Sequence, residues 1–154
     1  MNLKVAAVVL AKDDEGGFNR SVFPVLGRPI VQYPMLSGLH SRRVDQTFLS
    51  TSSSQVLQIA LANPELHILE RSKDQDSFFQ EAICALRSIA EVHGETPEIL
   101  VVLLGNSPCV LPNMIDSAIE MIEQNPEVDS VLSVSKMRSH TPSCSMRLTS
   151  NHTM

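Results

Sequence analysis

The sequence predicts an α/β fold: a mainly parallel sheet covered by helices on both faces, a three-layer sandwich. Three observations carry that prediction. Residues 5–10 and 99–104 are continuously apolar and rich in Val, Ile and Leu, as strands buried on both faces are. Strand-like and helix-like segments alternate through short connections, the order that yields right-handed crossovers between parallel strands. Both apolar runs stop abruptly in polar loops, at Ala11-Lys12 and at Gly105-Asn106-Ser107-Pro108. In open α/β sheets, ligands bind beyond such strand ends.

The totals narrow the function. A chain of 154 residues fits one domain and is long enough for a sizeable core. Its net charge of −5, from 12 basic and 17 acidic residues with one Tyr and no Trp, argues against a nucleic-acid surface, which needs basic patches and rings for stacking. No apolar run reaches the roughly 18 residues of a membrane span, and the N-terminus lacks a signal-peptide pattern, so a cytoplasmic protein is expected. Cys84, Cys109 and Cys144 are odd in number and widely spaced. They are expected to be reduced thiols, with Cys84 buried on a helix, rather than a zinc site or disulfide framework.

Taken in order, the first strand gives way to a loop of about a dozen residues. The loop carries Lys12, Gly16, Gly17, Asn19 and Arg20, equipment for an anion, together with the opposing charges of Asp13, Asp14 and Glu15. Gly27-Arg28-Pro29 marks a turn, and a short helix starts near Val31, because Pro34 is tolerated in a first turn and not in an interior. Gln46-Thr47-Phe48-Leu49-Ser50 is the second strand. The polar run Thr51-Ser52-Ser53-Ser54 caps a helix reaching about Ala62, and Leu66-His67-Ile68-Leu69 is a third, weaker strand.

The next helix has the clearest signature. Ser77 as N-cap with Gln80 three residues on fits a capping box, and Phe79, Ala82, Ile83, Leu86, Ile89 and Ala90 recur at helical spacing up to Gly94. The second fully buried strand, 99–104, leads through the Gly105 loop to a helix over 112–124. Ser130-Val131-Leu132-Ser133-Val134 is expected as a last strand. From Lys136 the composition turns to Ser and Thr with isolated apolar residues, which predicts a domain over 1–135 and a poorly packed tail over 136–154.

Pro24-Val25-Leu26-Gly27-Arg28-Pro29-Ile30, after an apolar strand and a Gly-bearing loop, resembles the start of the cytidylyltransferases that activate sugar acids, the acylneuraminate (CMP-sialic acid synthetase-like) group. Phe48-Leu49-Ser50-Thr51, Glu70-Arg71 with Asp76-Ser77, Leu104-Gly105-Asn106-Ser107-Pro108 and Val134-Ser135-Lys136 are similar to later motifs of that family in the right order, over about residues 3–136. The resemblance implies a Rossmann-like nucleotide-diphospho-sugar transferase fold. It implies transfer of CMP from CTP to a sugar acid with pyrophosphate release, Mg²⁺ as the accompanying cation, and a homodimer. It places Lys12 and Arg20 on the phosphates as the catalytic cations. Ala11, Gly16, Gly17, Arg71 and Ser77 lie near the nucleotide, and Asn106 and Ser107 on its base and ribose.

The sequence also departs from that pattern. The family's opening loop is basic, whereas this one holds three carboxylates, each costing about 4 kcal/mol if brought within 4 Å of a phosphate charge at an effective dielectric near 20. Ser52 and Val110 stand where the family has Asp and Arg. The family's chain runs further, so the present one is expected to be truncated at its C-terminus. No metal-binding residue is assigned; Asp13 and Asp14 are candidates for ligands or for an acidic loop tip. Two other readings stay open: a catalytically incomplete nucleotide-binding or regulatory module, and an α/β interaction domain without ligand. None of the five His residues shows metal or triad spacing, and no Ser has a general base nearby in sequence.

Overall fold

The computed structural model describes residues 3–12, 19–70 and 78–135. Four strands form one parallel sheet in the order β5-β4-β1-β6, with β1 (Val5–Ala11), β4 (Gln46–Thr51), β5 (His67–Glu70) and β6 (Ile99–Leu104). β2 (Pro24–Val25) and β3 (Arg28–Pro29) make a separate two-residue antiparallel hairpin. Four helices follow their strands: α1 (Gln32–Leu39), α2 (Ser54–Ala60), α3 (Phe78–His93) and α4 (Pro112–Gln124).

The pleat of β1 sorts its side chains between two cores, as a two-residue period requires. Val5, Ala7, Val9 and Ala11 pack with Met35 of α1, Val56 and Ala60 of α2, and Ile115 and Ile119 of α4. Ala6, Val8 and Leu10 face the other way, with Phe48, Leu69 and the α3 residues Ala85 and Ile89. Helices therefore lie on both faces, three on one and α3 on the other, as the alternation of elements predicts. On the α1 side, Gly38 permits close approach: a Cβ there would sit 2.8 Å from the Thr47 side chain of β4.

The caps follow the local chemistry. Ser53 is the N-cap of α2, its Oγ 3.5 Å from the Val56 N–H. α1 begins after Val31 with Pro34 in its first turn, and Pro112 opens α4. Asp45, just before β4, accepts from the Lys4 and Val5 N–H groups at 2.9 and 2.8 Å, fixing where β1 and β4 start relative to each other.

Several expectations are corrected. β6 is an edge strand and not a fully buried one: Ile99, Leu100, Val101 and Val102 are only partly covered and Leu104 is 43% exposed. The cause is its place in the sheet, since β1 pairs with one side of it and no described strand pairs with the other. Residues 130–134 do not form a strand, and Leu132 and Val134 are each 56% exposed. An extended segment is held by its ladder partners, and no backbone hydrogen bond ties this one to β6. α2 ends at Ala60, two residues early, as its last turn tightens into Leu61 and Ala62. Cys84 is half-buried and not buried, because it sits on the flank of α3 between the buried Ala85 and Glu81 stripe and solvent, and Cys109 is exposed. The expected tail over 136–154 lies outside the described residues.

Candidate active site at the exits of β1 and β6

β1 and β6 run side by side in register, Leu10 opposite Leu104, so both chains leave the sheet at the same rim. The Gly105 N–H donates to the Leu10 carbonyl at 2.8 Å. A Cβ at Gly105 would lie 2.8 Å from the Ala11 Cβ, closer than real Cβ atoms approach, and a tight 3.0 Å from the Leu10 oxygen. Glycine is what lets the second exit lie against the first. The next residues turn back, with the Ser107 N–H donating to the Leu104 carbonyl at 3.1 Å, and this turn presents Asn106 at the surface.

The opposite wall is the single 3-10 turn Arg20–Val22. Asn19 caps it, its side-chain oxygen accepting from the Ser21 N–H at 3.0 Å. The Asn19 amide nitrogen donates to Ser53 Oγ at 3.0 Å, and the Ser53 N–H donates to Thr51 Oγ1 at 3.1 Å at the end of β4. On its far side the turn is held by two backbone bonds, Val31 N–H to Ser21 oxygen at 2.8 Å and Ile30 N–H to Phe23 oxygen at 3.0 Å.

Between these walls is a cleft of about 330 Å³ lined by Arg20, Phe23, Ile30 and Asn106. Among the described residues the lining is one cation, one amide and two apolar side chains, apolar surface with a few placed polar groups as small-molecule pockets have. Its volume stands at the low end of the roughly 300–1,000 Å³ range of such pockets, room for one ring or a sugar and not for a whole nucleoside triphosphate. Phe23 is half exposed at this cleft.

The structure thus brings together Arg20 and Asn106 from the expected set. Ala11 lies buried beneath them as the last residue of β1, Lys12 is exposed at the strand's exit, and Ser107 is half-buried in the turn; none of these three lines the cleft. Gly16, Gly17, Arg71 and Ser77, together with Asp13, Asp14 and Glu15, lie outside the described residues. Ser53 is occupied as cap and as acceptor, which accounts for the Ser52-Ser53-Ser54 run without a phosphate. Phe23 and Ile30 escape sequence reasoning because they flank the hairpin rather than a strand end. The available signal is the aromatic residue immediately before Pro24, in the run Val22-Phe23-Pro24-Val25-Leu26.

Among the described residues no three His, Cys, Asp or Glu side chains gather as a metal site; the candidate ligands Asp13 and Asp14 lie outside those residues. Asp116 is held below its ordinary value of 3.8, by the Ser41 hydroxyl above all; burial opposes this, and the N–H groups of Arg42 and Arg43 and the Arg42 charge add smaller lowering effects. It joins α4 to the end of α1 and is a structural pair. His67 and His93 pack on the buried Phe48 ring, with centroids 5.3 and 5.6 Å away. No helix of the described residues is long and apolar enough to cross a membrane.

The parallel α/β sheet, with a cleft where β1 and β6 exit together, has the fold of solved nucleotidyltransferases. The solved structure of CMP:2-keto-3-deoxy-manno-octonic acid synthetase complexed with CTP shares this fold at a TM-score of 0.64, with 18% identity over 81% of this chain and 49% of that one. The Rv0371C protein of Mycobacterium tuberculosis, complexed with manganese, shares it at a TM-score of 0.57, with 18% identity over 77% of this chain and 59% of that one. The family model described as cytidylyltransferase matches residues 19–150, and the chain belongs to that family. A 3-deoxy-manno-octulosonate cytidylyltransferase of Chlamydia trachomatis is 23% identical over 112 residues, 73% of this chain and 42% of that protein. The chain thus spans about half the length of the relatives it matches.

Proposed function

We propose that this chain takes part in transferring CMP from CTP to the hydroxyl of a sugar acid, of the 3-deoxy-manno-octulosonate or acylneuraminate kind. The observation that carries the reading is the meeting of Arg20 and Asn106 in one cleft where β1 and β6 exit together. In the reaction, the sugar hydroxyl oxygen bonds to the α-phosphorus of CTP while the bond from that phosphorus to the bridging oxygen breaks. Pyrophosphate departs, and the hydroxyl proton passes to solvent. Charge builds on the phosphoryl oxygens and the leaving group, so fixed cations supply the main stabilisation.

Arg20, on a turn fastened at both ends, takes a phosphate oxygen, and Lys12 at the β1 exit takes another. Asn106 supplies an amide donor and acceptor to the ribose or base edge, with Ser107 behind it. Phe23 carries the apolar face of whichever ring enters the cleft, and the cleft's size leaves the triphosphate lying outward along the β1 loop. Arg71, Ser77, Ala11, Gly16 and Gly17 complete the nucleotide surface in this reading, by family resemblance. A divalent ion, Mg²⁺ in the same reading, would supply charge neutralisation to the triphosphate. A cytoplasmic homodimer completes this reading, and an elution volume matching twice the chain mass would support the dimer.

Pyrophosphate release is the test, with CTP, Mg²⁺ or Mn²⁺, and 3-deoxy-manno-octulosonate and N-acetylneuraminate as acceptors. Release that depends on one acceptor and on CTP over other nucleotides supports the reading. Binding of CTP without release would leave the nucleotide-binding module, and no binding at all would end both.

A further inference from the structure

Arg20 is the cation of the cleft, yet it stands on a three-residue turn at the surface, and a turn that short has no rigidity of its own. The structure fastens it on both sides. Downstream, the backbone bonds from Val31 and Ile30 tie the turn to the start of α1. Upstream, Asn19 fastens it to Ser53, 34 residues away in sequence. That partner is rigid: Ser53 is 1% exposed, caps α2, and has its own N–H bonded to the buried Thr51 hydroxyl.

We infer that Asn19 is a positioning residue, a clasp from the loop after β1 to the exit of β4 that holds Arg20 over the cleft for a phosphate. The inference rests on the CTP reading above. An amide is suited to this place because it must do two opposite things at once. Its oxygen accepts from the Ser21 N–H, and its nitrogen donates to Ser53 Oγ. A serine at position 19 can accept as a cap, but it is too short to reach Ser53. A carboxylate keeps the cap and adds a negative charge next to the anion.

Held in place, Arg20 meets the phosphate without first losing backbone freedom, and preorganisation of this kind raises affinity by lowering the ordering cost of binding.

The test is calorimetric titration with CTP and, separately, with cytidine, on the whole chain. Asn19→Ala and Asn19→Ser are measured in the wild-type background and together with Arg20→Ala, with circular dichroism confirming that each is folded. The clasp predicts that both Asn19 variants weaken CTP about tenfold, as loss of a charge-assisted contact does. It also predicts that they leave cytidine unchanged and add less than about twofold to Arg20→Ala, because the two residues act through one contact. Rescue by Asn19→Ser would show that the cap alone matters and would overturn the inference. Equal losses in both backgrounds would do the same, since they mark a general structural role. If wild type binds no CTP, the functional reading fails first, and that outcome is distinguishable because it precedes any variant.

Discussion

β1 and β6 are near twins in composition, VAAVVLA beside ILVVLL, and they lie in register. β1 is buried along its whole length, while β6 is half-covered and ends on an exposed Leu104. The difference comes from their neighbours. β1 has β4 on one side and β6 on the other, with helices above and below. β6 has one side paired among the described strands; Ile99, Val101 and Leu103 pack toward α4, while Leu100 and Val102 are only partly covered on the α3 side. Apolar sequence states what a strand tolerates, and its place in the sheet decides what it contributes. The same pair shows why the cleft sits where it does: the buried strand fixes the rim, and the more open one brings Asn106 to it.

The largest expected effect sets the two strands directly against each other. Val8→Asp puts an unpaired charge into the core between β1 and α3, a change of several kcal/mol, and should abolish the cooperative urea transition. Val102→Asp, on the same face of half-open β6, should leave a transition at lower denaturant. Loss of both would contradict the comparison. A milder version uses leucine: Leu49→Ala, fully buried on β4, should cost about 2–5 kcal/mol, and Leu104→Ala less than about 1 kcal/mol, read from denaturant midpoints.

The smallest effect probes how the packed face of β6 is held. α4 covers it through Ile115 and Ile119 and is joined to α1 by Asp116, whose carboxyl is held below 3.8 by the Ser41 hydroxyl. A depressed folded value contributes stability that is complete above about pH 4 and is lost as pH falls through the lower folded value. Asp116→Asn should therefore be less stable than wild type at pH 7, and its stability should fall less between pH 4 and pH 2. Parallel pH profiles for the two proteins would show that the contact contributes nothing.

Much of this was legible in sequence where the signal is local. The Val-rich run of β1, Pro34 and Pro112 in first turns, Ser53 before α2 and the periodic face of α3 each depend on residues a few positions apart. The loop ends of β1 and β6 could be named as a shared rim because adjacent parallel strands exit together. What sequence did not reveal depends on distant partners. The edge position of β6 and the unformed strand at 130–134 are decided by which strands pair. Phe23 and Ile30 enter the cleft through a hairpin of two residues a side, and Asn19 meets Ser53 across 34 residues. Periodicity carries no trace of either.

The central claim is that the paired exits of β1 and β6 form a nucleotide site, and titration of CTP with Mg²⁺ into wild type, Arg20→Ala and Asn106→Ala tests it most directly. The account predicts saturable heat from wild type and affinity about tenfold weaker in Arg20→Ala, the loss of a charge-assisted contact, with a smaller loss in Asn106→Ala. Binding that both variants leave intact, or no heat from wild type at millimolar CTP, would contradict it.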